Sequence, residues 1–225
     1  MNTSAIILAG GFSTRFGQDK GLVYLNNKPL IKYVLEAVDQ TVEEKIVVVN
    51  SKTQAERLLK TLSQNTKVVI DAYNFQSPLV GVATGLTAAK GKYALLLPCD
   101  TPLLSKDSLT LLLDLCINRN AAVPRWPNGF IEPLHAAYQV KPTLEAAQST
   151  LKNGQLDMRN MLGKLGGVRY VSTIVLQQLD PELKMFFNIN TPLDLKKAEL
   201  MLKSQKLRKL KGIFSKNTHK IKFSN

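Results

Sequence analysis

The chain has 225 residues, of which 44% are apolar and 21% charged, a composition typical of a globular protein with one well-buried domain. It shows neither the apolar run of roughly 18 to 20 residues that crosses a bilayer nor a positively flanked secretory signal, so we predict a cytoplasmic protein without a transmembrane segment. The net charge of +13 suggests nucleic-acid binding, but eight Lys or Arg and no acid follow Glu199, so only the tail is strongly basic.

Short apolar runs, often β-branched, recur along the first half of the chain. Each run is too short for a helix and is continuous rather than alternating, which is typical of parallel strands buried on both faces. The runs are SAIILA (4–9), KIVVVN (45–50), KVVID (67–71) and YALLLPCD (93–100). We predict four parallel strands from them.

Segments of helical period lie between and after these runs. In PLIKYVLEAVDQ, apolar residues repeat at i, i+3, i+4, i+7 and i+8 from Leu30, and Pro29 opens the helix. The same offsets are filled from Leu109 in SKDSLTLLLDLCIN, with Ser105 as the cap. The alternation of strand and helix predicts an α/β fold with a parallel sheet and right-handed crossovers.

The alternation changes after about residue 119. AAVPRW, a Pro-Asn-Gly turn at 127–129 and FIEPLHAAYQV predict a hairpin-like insertion, so the C-terminal half of the sheet is expected to be mixed. NTPLDLKKAELML predicts a final helix with Thr191 as cap, Pro192 in the first turn and Asp194 in a capping-box-like contact.

Polar residues follow the end of each predicted strand. The first strand leads into Gly10 and Gly11, the second ends in Asn50, the third in Asp71 and the fourth in Asp100. Because the carboxyl ends of parallel strands meet at one edge of the sheet, where helix N-termini also point, we expect these residues to line one crevice.

The loop LAGGFSTRFGQDK (8–20) looks like a phosphate cradle, although it matches neither the dinucleotide-binding nor the Walker pattern. Its glycines let backbone N–H groups approach an anion, and Arg15 and Lys20 supply charge-assisted bonds to phosphate oxygens. Carboxylates opposite a polyphosphate require a cation, and Mg²⁺ takes oxygen ligands from one or two carboxylates plus substrate phosphates. The residue types together predict a site for a nucleoside triphosphate and Mg²⁺.

Each of these residues also has a purely structural interpretation. Asn50 is equally suited to capping the next helix, and an Asp at a strand end, such as Asp71, commonly caps a helix or forms a turn. We expect His135 to be a strand histidine packed in the core or at its edge. Cys99 and Cys116 match neither a disulfide framework nor a zinc spacing, so we expect two buried thiols.

The loop resembles the signature L-A-G-G-x-S-x-R-[MF]-G-x-D-K of the molybdenum cofactor guanylyltransferases, members of the nucleotidyltransferase superfamily that includes sugar-phosphate uridylyltransferases. Further segments fall in the order of that family: GLVYLNNKPLIKYV, IVVVN, SPLVG (77–81), LLLPCDTPLL and FNINTPLDL. The resemblance extends over about residues 5–200. We therefore expect a nucleotidyltransferase domain at residues 1–200, followed by a basic tail at 201–225.

The resemblance implies a Rossmann-like three-layer fold with a mainly parallel sheet, and an enzyme that transfers GMP from GTP to the phosphate of molybdopterin. A phosphate monoester is already an anionic nucleophile, so no general base is needed. The implied catalytic residues are Arg15 and Lys20, which neutralise the departing pyrophosphate, and Asp100, which binds Mg²⁺ and GTP. The residues implied to bind the nucleotide are Leu8, Ala9, Gly10, Gly11, Lys20, Asn50, Asp71, Gly81 and Asp100. Those implied to line the pterin side are Asn188 and Asn190.

Because the sequence departs from the family pattern at two places, the resemblance fixes neither the base of the nucleotide nor the molecule that accepts the nucleotidyl group. Ser77 stands where many relatives have glycine, and EPLHAAY (132–138) where some members show His-Pro-Thr. Cytidylyl transfer to the same acceptor stays an alternative, as does transfer to a sugar phosphate, against which Gly11 and the Asp19-Lys20 spacing argue. A non-enzymatic, basic nucleic-acid-binding protein is the alternative from another class. It requires aromatic residues among the basic ones.

The tail lacks that aromatic interleaving, so we expect no specific nucleic-acid partner. Residues 200–214 place apolar residues near one stripe among five Lys or Arg. Three interpretations are open: a solvated extension of the last helix, an amphipathic helix for an anionic membrane or RNA, and a dock for a partner such as a molybdoenzyme apoprotein.

Overall fold

The computed structural model describes residues 2–13, 15–71 and 77–204. Its strands, in chain order, are β1 (Thr3–Leu8), β2 (Phe12–Ser13), β3 (Gln18–Asp19), β4 (Tyr24–Leu25), β5 (Lys28–Pro29), β6 (Glu44–Val49), β7 (Thr66–Ile70), β8 (Tyr93–Pro98), β9 (Ala121–Arg125), β10 (Ala136–Gln139) and β11 (Val168–Ser172). Its α-helices are α1 (Leu30–Val38), α2 (Lys52–Leu59), α3 (Pro78–Ala88), α4 (Lys106–Cys116), α5 (Val140–Lys152), α6 (Met158–Lys164), α7 (Thr173–Leu176) and α8 (192–204).

Seven of the strands form one sheet in the order β11-β9-β10-β8-β1-β6-β7. β1 pairs in parallel with β6 and β8, β6 pairs in parallel with β7, and β9 with β11. β10 alone runs antiparallel to both of its neighbours, β8 and β9. The sheet is therefore mainly parallel with one reversed strand in its C-terminal half, as the sequence predicts.

Helices cover both faces of this sheet and divide its core in two. One cluster joins Ile7 and Leu95 of the sheet to apolar residues of α1, α2 and α4. The other joins Ile6 and Leu96 to apolar residues of α3, α5 and α6. Because side chains alternate along each strand, adjacent residues feed opposite clusters. The three-layer α/β fold expected from the resemblance is confirmed.

The predicted strands and helices are present, with small differences at their ends. One prediction about the burial of a strand is wrong. Ser105 caps α4 by accepting a hydrogen bond from the Ser108 N–H at 3.3 Å, as predicted. The expectation that every strand is buried on both faces is wrong for β7. This strand lies at the edge of the sheet, and Ile70 is 42% exposed. An apolar run alone does not distinguish an edge strand from a central one.

α8 is tied to the body by its capping box and by a third apolar cluster. The Asp194 N–H donates to Thr191 Oγ1 at 3.2 Å, and the Thr191 N–H donates to Asp194 Oδ2 at 2.9 Å, which confirms the predicted contact. Ile189 and Ala198 pack with Leu25 and its neighbours near the start of α1. The segment before α8 is thereby held against the loop that follows β1. Within the described ranges, no helix has the length and apolar character needed to span a membrane.

Candidate active site

Lys20 and Asp100 meet beyond the carboxyl end of the sheet. Lys20 Nζ donates to Asp100 Oδ2 at 3.0 Å and to Asn190 Oδ1 at 2.7 Å. Three distant segments contribute one residue each: the loop after β1, the turn after β8 and the segment before α8. Backbone bonds hold these segments, because the Lys20 N–H donates to Gly11 O at 3.1 Å and the Ile189 N–H to Asp100 O at 2.9 Å.

A cavity of about 270 Å³ opens beside this cluster. Six of the residues predicted to bind a nucleotide line it: Leu8, Gly10, Gly11, Asn50, Asp71 and Gly81. Val48, Ser77, Pro78 and Leu134 complete its lining. The stem of Lys20 passes close to the cavity, since a Cβ placed on Gly11 would lie 3.5 Å from Lys20 Cδ. The residues that follow β1, β6 and β7 therefore meet around one hollow, as predicted, whereas Asp100, which follows β8, is not among the residues that line it.

Gly10 and Asn50 are in direct contact at the entrance of the loop. The Asn50 side-chain amide donates to the Gly10 carbonyl oxygen, and a Cβ on Gly10 would fall 1.8 Å from Asn50 Oδ1. Only glycine leaves room for this approach. The alternative role of Asn50 as a helix cap is not what the structure shows, because Ser51 caps α2 by accepting a hydrogen bond from the Gln54 N–H.

Gln54, which sequence analysis did not identify, braces the loop from beneath. Its side-chain amide donates to Ala9 O at 2.7 Å and to Asp19 Oδ1 at 3.2 Å, while its Oε1 accepts from the Asn50 N–H at 2.9 Å. Asp19 is itself buried, and its other carboxylate oxygen lies 3.5 Å from the Arg57 guanidinium. The buried amide thus joins both ends of the glycine-rich loop to the start of α2. Because glutamine usually faces solvent, the position of Gln54 along the chain carried no signal of this role.

Asp71 presents a carboxyl group to the cavity from just beyond β7. Burial raises its pKa above the usual range of an aspartate, and the Thr84 hydroxyl opposes part of that rise. Ser77 caps α3 by accepting from the Val80 N–H at 3.3 Å. This contact gives the serine, which the sequence analysis treats as a departure from the family pattern, a structural role.

Three further predicted residues are not among those that line the cavity. Arg15 is exposed in the turn that precedes β3, and Asn188 is exposed in the segment before α8. Ala9 is fully buried, its N–H donating to Val48 O at 2.8 Å and its carbonyl accepting from Gln54. The roles predicted for these three residues stay predictions.

His135 lies in the core, as expected from the sequence, but in the bend just before β10 rather than in a strand. It is 2% exposed, and its ring packs edge-on against Phe186 with centroids 5.3 Å apart. Burial lowers its pKa to about 3, so the imidazole is neutral at physiological pH. Both cysteines are buried free thiols, which confirms that prediction.

Asp100 is the carboxylate best placed to take a metal ion. In the described part of the chain, no group of three or more His, Cys, Asp or Glu side chains is arranged to hold a metal. One carboxylate fits Mg²⁺ in nucleotide enzymes, because this ion commonly takes its remaining oxygen ligands from substrate phosphates and water. Asn190 Oδ1 and Asp100 Oδ2 are both oxygen atoms that already attract the Lys20 cation.

Comparison with known proteins identifies one family. The model of the MobA-like NTP transferase domain matches residues 5–168. A molybdenum cofactor guanylyltransferase from Desulfosudis oleivorans is 32% identical over 206 residues, which cover 91% of this chain and 98% of the relative. A probable molybdenum cofactor guanylyltransferase from Methanosarcina mazei is 30% identical over 197 residues, or 85% and 88% of the two chains.

Solved structures agree with this result. The molybdopterin-guanine dinucleotide biosynthesis protein A of Archaeoglobus fulgidus superposes with a TM-score of 0.77 at 27% identity, covering 89% of this chain and 99% of that protein. The 2-C-methyl-D-erythritol 4-phosphate cytidylyltransferase of Thermus thermophilus has a TM-score of 0.66 at 18% identity, with 89% and 98% coverage. The second likeness concerns the fold alone.

Proposed function

Because the chain belongs to the MobA-like NTP transferase family, we propose that it is a guanylyltransferase that moves GMP from GTP to the phosphate of molybdopterin and releases pyrophosphate. The observation that carries the proposal is the pairing of Lys20 with Asp100 beside a cavity lined by the glycine-rich loop. GTP and molybdopterin are then the two substrates, and Mg²⁺ is the cofactor.

The cavity favours guanine among the four bases. Guanine presents two adjacent N–H donors on its Watson–Crick edge, which a carboxylate can accept together. Asp71 supplies such a carboxylate at the cavity wall. Cytosine and adenine offer a single donor beside an acceptor there, and that acceptor would face the negative charge of Asp71. The glycine-rich loop lines the same cavity and would offer its backbone N–H groups to the phosphates.

The reaction needs alignment and charge stabilisation rather than proton abstraction. An oxygen of the acceptor phosphate attacks the α-phosphorus of GTP, and the bond from that phosphorus to the bridging oxygen breaks, so pyrophosphate leaves with the electron pair. Lys20 stabilises the charge that develops on the phosphates, and Arg15 assists from the loop. Mg²⁺ on Asp100 would supply further positive charge when bound.

A pyrophosphate-release assay with purified protein tests this function. GTP, CTP, ATP and UTP are compared with Mg²⁺, each with and without molybdopterin. We expect release with GTP only, and only when molybdopterin is present. Release with CTP and molybdopterin would identify a cytidylyltransferase. Turnover on a sugar phosphate in place of molybdopterin would contradict the proposed acceptor. The cytoplasmic location and the role of the basic tail stay predictions, and residues 205–225 lie outside the described part of the chain.

A further inference from the structure

A second polar cluster lies near the proposed active site and has no role in the function described above. We call Trp126, Glu132, His135 and Phe186 the acceptor-side cluster. The Trp126 indole N–H donates to Glu132 Oε1 at 2.9 Å, and the Trp126 and Phe186 rings pack with centroids 5.5 Å apart. His135 Nδ1 lies 3.9 Å from Glu132 Oε2, beyond hydrogen-bond distance.

The reversed strand β10 places this cluster at the edge of the sheet that carries the active site. β10 runs antiparallel to β8 with Ala136 opposite Leu96, so residues just before Ala136 lie beside the end of β8, where Asp100 follows. Phe186 precedes Asn190 by four positions, and the segment between them is bonded to Asp100 through Ile189. The cluster therefore approaches the Lys20–Asp100 pair from the side of β10 and the segment before α8.

The cluster and the nucleotide cavity lie on opposite faces of the sheet. Leu134 lines the cavity and packs with the core cluster that contains α3. Trp126 and Phe186 pack with the other core cluster, which contains α4. A transfer reaction needs donor and acceptor on two sides of the reacting phosphate, because attack and departure are roughly in line. The acceptor-side cluster is placed on the side that the nucleotide leaves free.

Two polar groups of the cluster, the Glu132 carboxyl and the His135 imidazole, are partly or fully buried, at a cost in free energy that hydrogen bonds to a ligand would offset. The Glu132 side chain is only 20% exposed, and burial raises its pKa while the Trp126 indole opposes the rise. Both ring nitrogens of His135 are buried without a hydrogen-bond partner among the described residues. Buried polar groups are normally paired, so the unpaired imidazole of His135, beside the partly exposed carboxylate of Glu132, calls for an explanation.

We propose that Glu132 is the residue that selects the acceptor, by accepting hydrogen bonds from adjacent N–H donors on the edge of a 2-amino-4-oxo pteridine ring. Trp126 holds the carboxylate through one lone pair of Oε1, which leaves the other lone pair of Oε1 and those of Oε2 to accept from the ligand. The Trp126 and Phe186 rings would provide an aromatic wall for a flat heterocycle. This assignment rests on the proposed function, since it takes molybdopterin as the acceptor. It extends that function to a residue with no role in binding GTP.

The test compares wild type with Glu132→Gln, which keeps the shape of the side chain and removes its charge. Glu145→Gln, an exposed glutamate on α5, is the matched control. We expect the molybdopterin KM of Glu132→Gln to rise roughly tenfold, with the KM for GTP and the melting temperature unchanged. A merely structural glutamate would lower the melting temperature and alter both KM values.

A ligand-binding measurement tests the assignment of Glu132 without requiring turnover. Pterin carries the 2-amino group, whereas lumazine carries an oxygen there that a carboxylate repels. We expect wild type to bind pterin more tightly than lumazine in a fluorescence titration, and Glu132→Gln to lose that preference. A molybdopterin KM or a pterin-to-lumazine ratio equal to that of wild type overturns the assignment of Glu132. Absence of GTP-dependent turnover in wild type would instead overturn the proposed function.

Discussion

The Lys20 ammonium lies 3.0 Å from the Asp100 carboxylate, although 80 positions separate the two residues along the chain. The pair is partly exposed, with side chains 28% and 12% accessible, and such pairs contribute at most about 1 kcal/mol to folding. Its contribution to fold stability is therefore small. Lys20 would act more strongly on a bound triphosphate, because a preorganised positive charge needs no rearrangement during the reaction, whereas Asp100 would act through the Mg²⁺ that it holds.

Replacing either member of the pair is expected to abolish measurable turnover while preserving the fold. Lys20→Ala and Asp100→Ala should each lower kcat by about a hundredfold or more, since the first removes a positive charge that acts on the phosphates and the second removes the proposed Mg²⁺ ligand. Lys28→Ala is the control, because it breaks the Lys28–Glu36 ion pair on the surface. Circular dichroism and pyrophosphate release are measured on all three variants. Near-wild-type activity in either active-site variant would remove that residue from the catalytic set.

Gly10→Ala is expected to weaken GTP binding through Asn50. The new Cβ would occupy the position of Asn50 Oδ1, so the asparagine must leave the cavity wall and lose its bond to the Gly10 carbonyl. We expect the KM for GTP to rise. Gly163→Ala is the control, because a Cβ there meets nothing within 4 Å and alanine favours the helix. Equal KM values in both variants would show that the contact has no part in nucleotide binding.

Asp71→Asn is expected to change the base that the enzyme accepts. Asparagine offers one acceptor and one donor, which match xanthine rather than guanine, so the preference should move from GTP to XTP. Pyrophosphate release with the two nucleotides measures the change. If Asp71→Asn kept the wild-type preference for GTP, the carboxylate would not contact the base.

The raised pKa of Asp71 also predicts two opposite pH effects. The carboxylate must be ionised to accept from guanine, so kcat/KM for GTP should fall as pH falls through the pKa of the folded protein. Because the folded-state pKa lies above the unfolded value, the ionised group destabilises the fold at neutral pH, and that penalty disappears as pH falls below the unfolded value. The melting temperature of wild type, relative to Asp71→Asn, should therefore rise on mild acidification. A parallel pH dependence of the two proteins would contradict this.

Gln54→Leu is expected to loosen the glycine-rich loop. It leaves the Ala9 carbonyl and the Asn50 N–H without their partner, and buried polar groups left unpaired cost about 1–3 kcal/mol each. We expect a lower free energy of unfolding together with a higher KM for GTP. Gln155→Leu, an exposed residue after α5, controls for the added apolar surface. A destabilised variant with an unchanged KM would limit Gln54 to a structural role.

The sequence was sufficient to predict the order of strands and helices in the first half of the chain and the meeting of their polar ends. Periodicity is local, and the carboxyl ends of parallel strands must share an edge, so Asn50 and Asp71 could be assigned to one crevice, and Asp100 to the same edge of the sheet, without coordinates. The hydrogen bond from Lys20 to Asn190 could not be predicted in this way. It depends on how the segment before α8 folds back over 170 positions, which no local pattern specifies.

Residues whose role depends on burial were harder to predict. Gln54 and Asp19 are polar types that usually face solvent, and nothing in their spacing indicates that they are buried beneath the loop. The edge position of β7 was missed for the related reason that strand order in a sheet is not encoded in a single strand. Glu132 was noted as a departure from the family pattern, but its bond to Trp126 emerged only from the hairpin geometry.

The reversed direction of β10 has an evolutionary consequence. A parallel strand at that place would deliver its own carboxyl end to the catalytic edge, whereas β10 delivers the connection at 126–135, which begins and ends within one hairpin. Apart from Leu134, the residues of that connection lie outside the lining of the cavity, so insertions or substitutions among them would leave most residues around the nucleotide in place. If the connection selects the acceptor, as proposed for Glu132, one ancestral scaffold can diversify its products by remodelling this connection while it keeps most of the donor site.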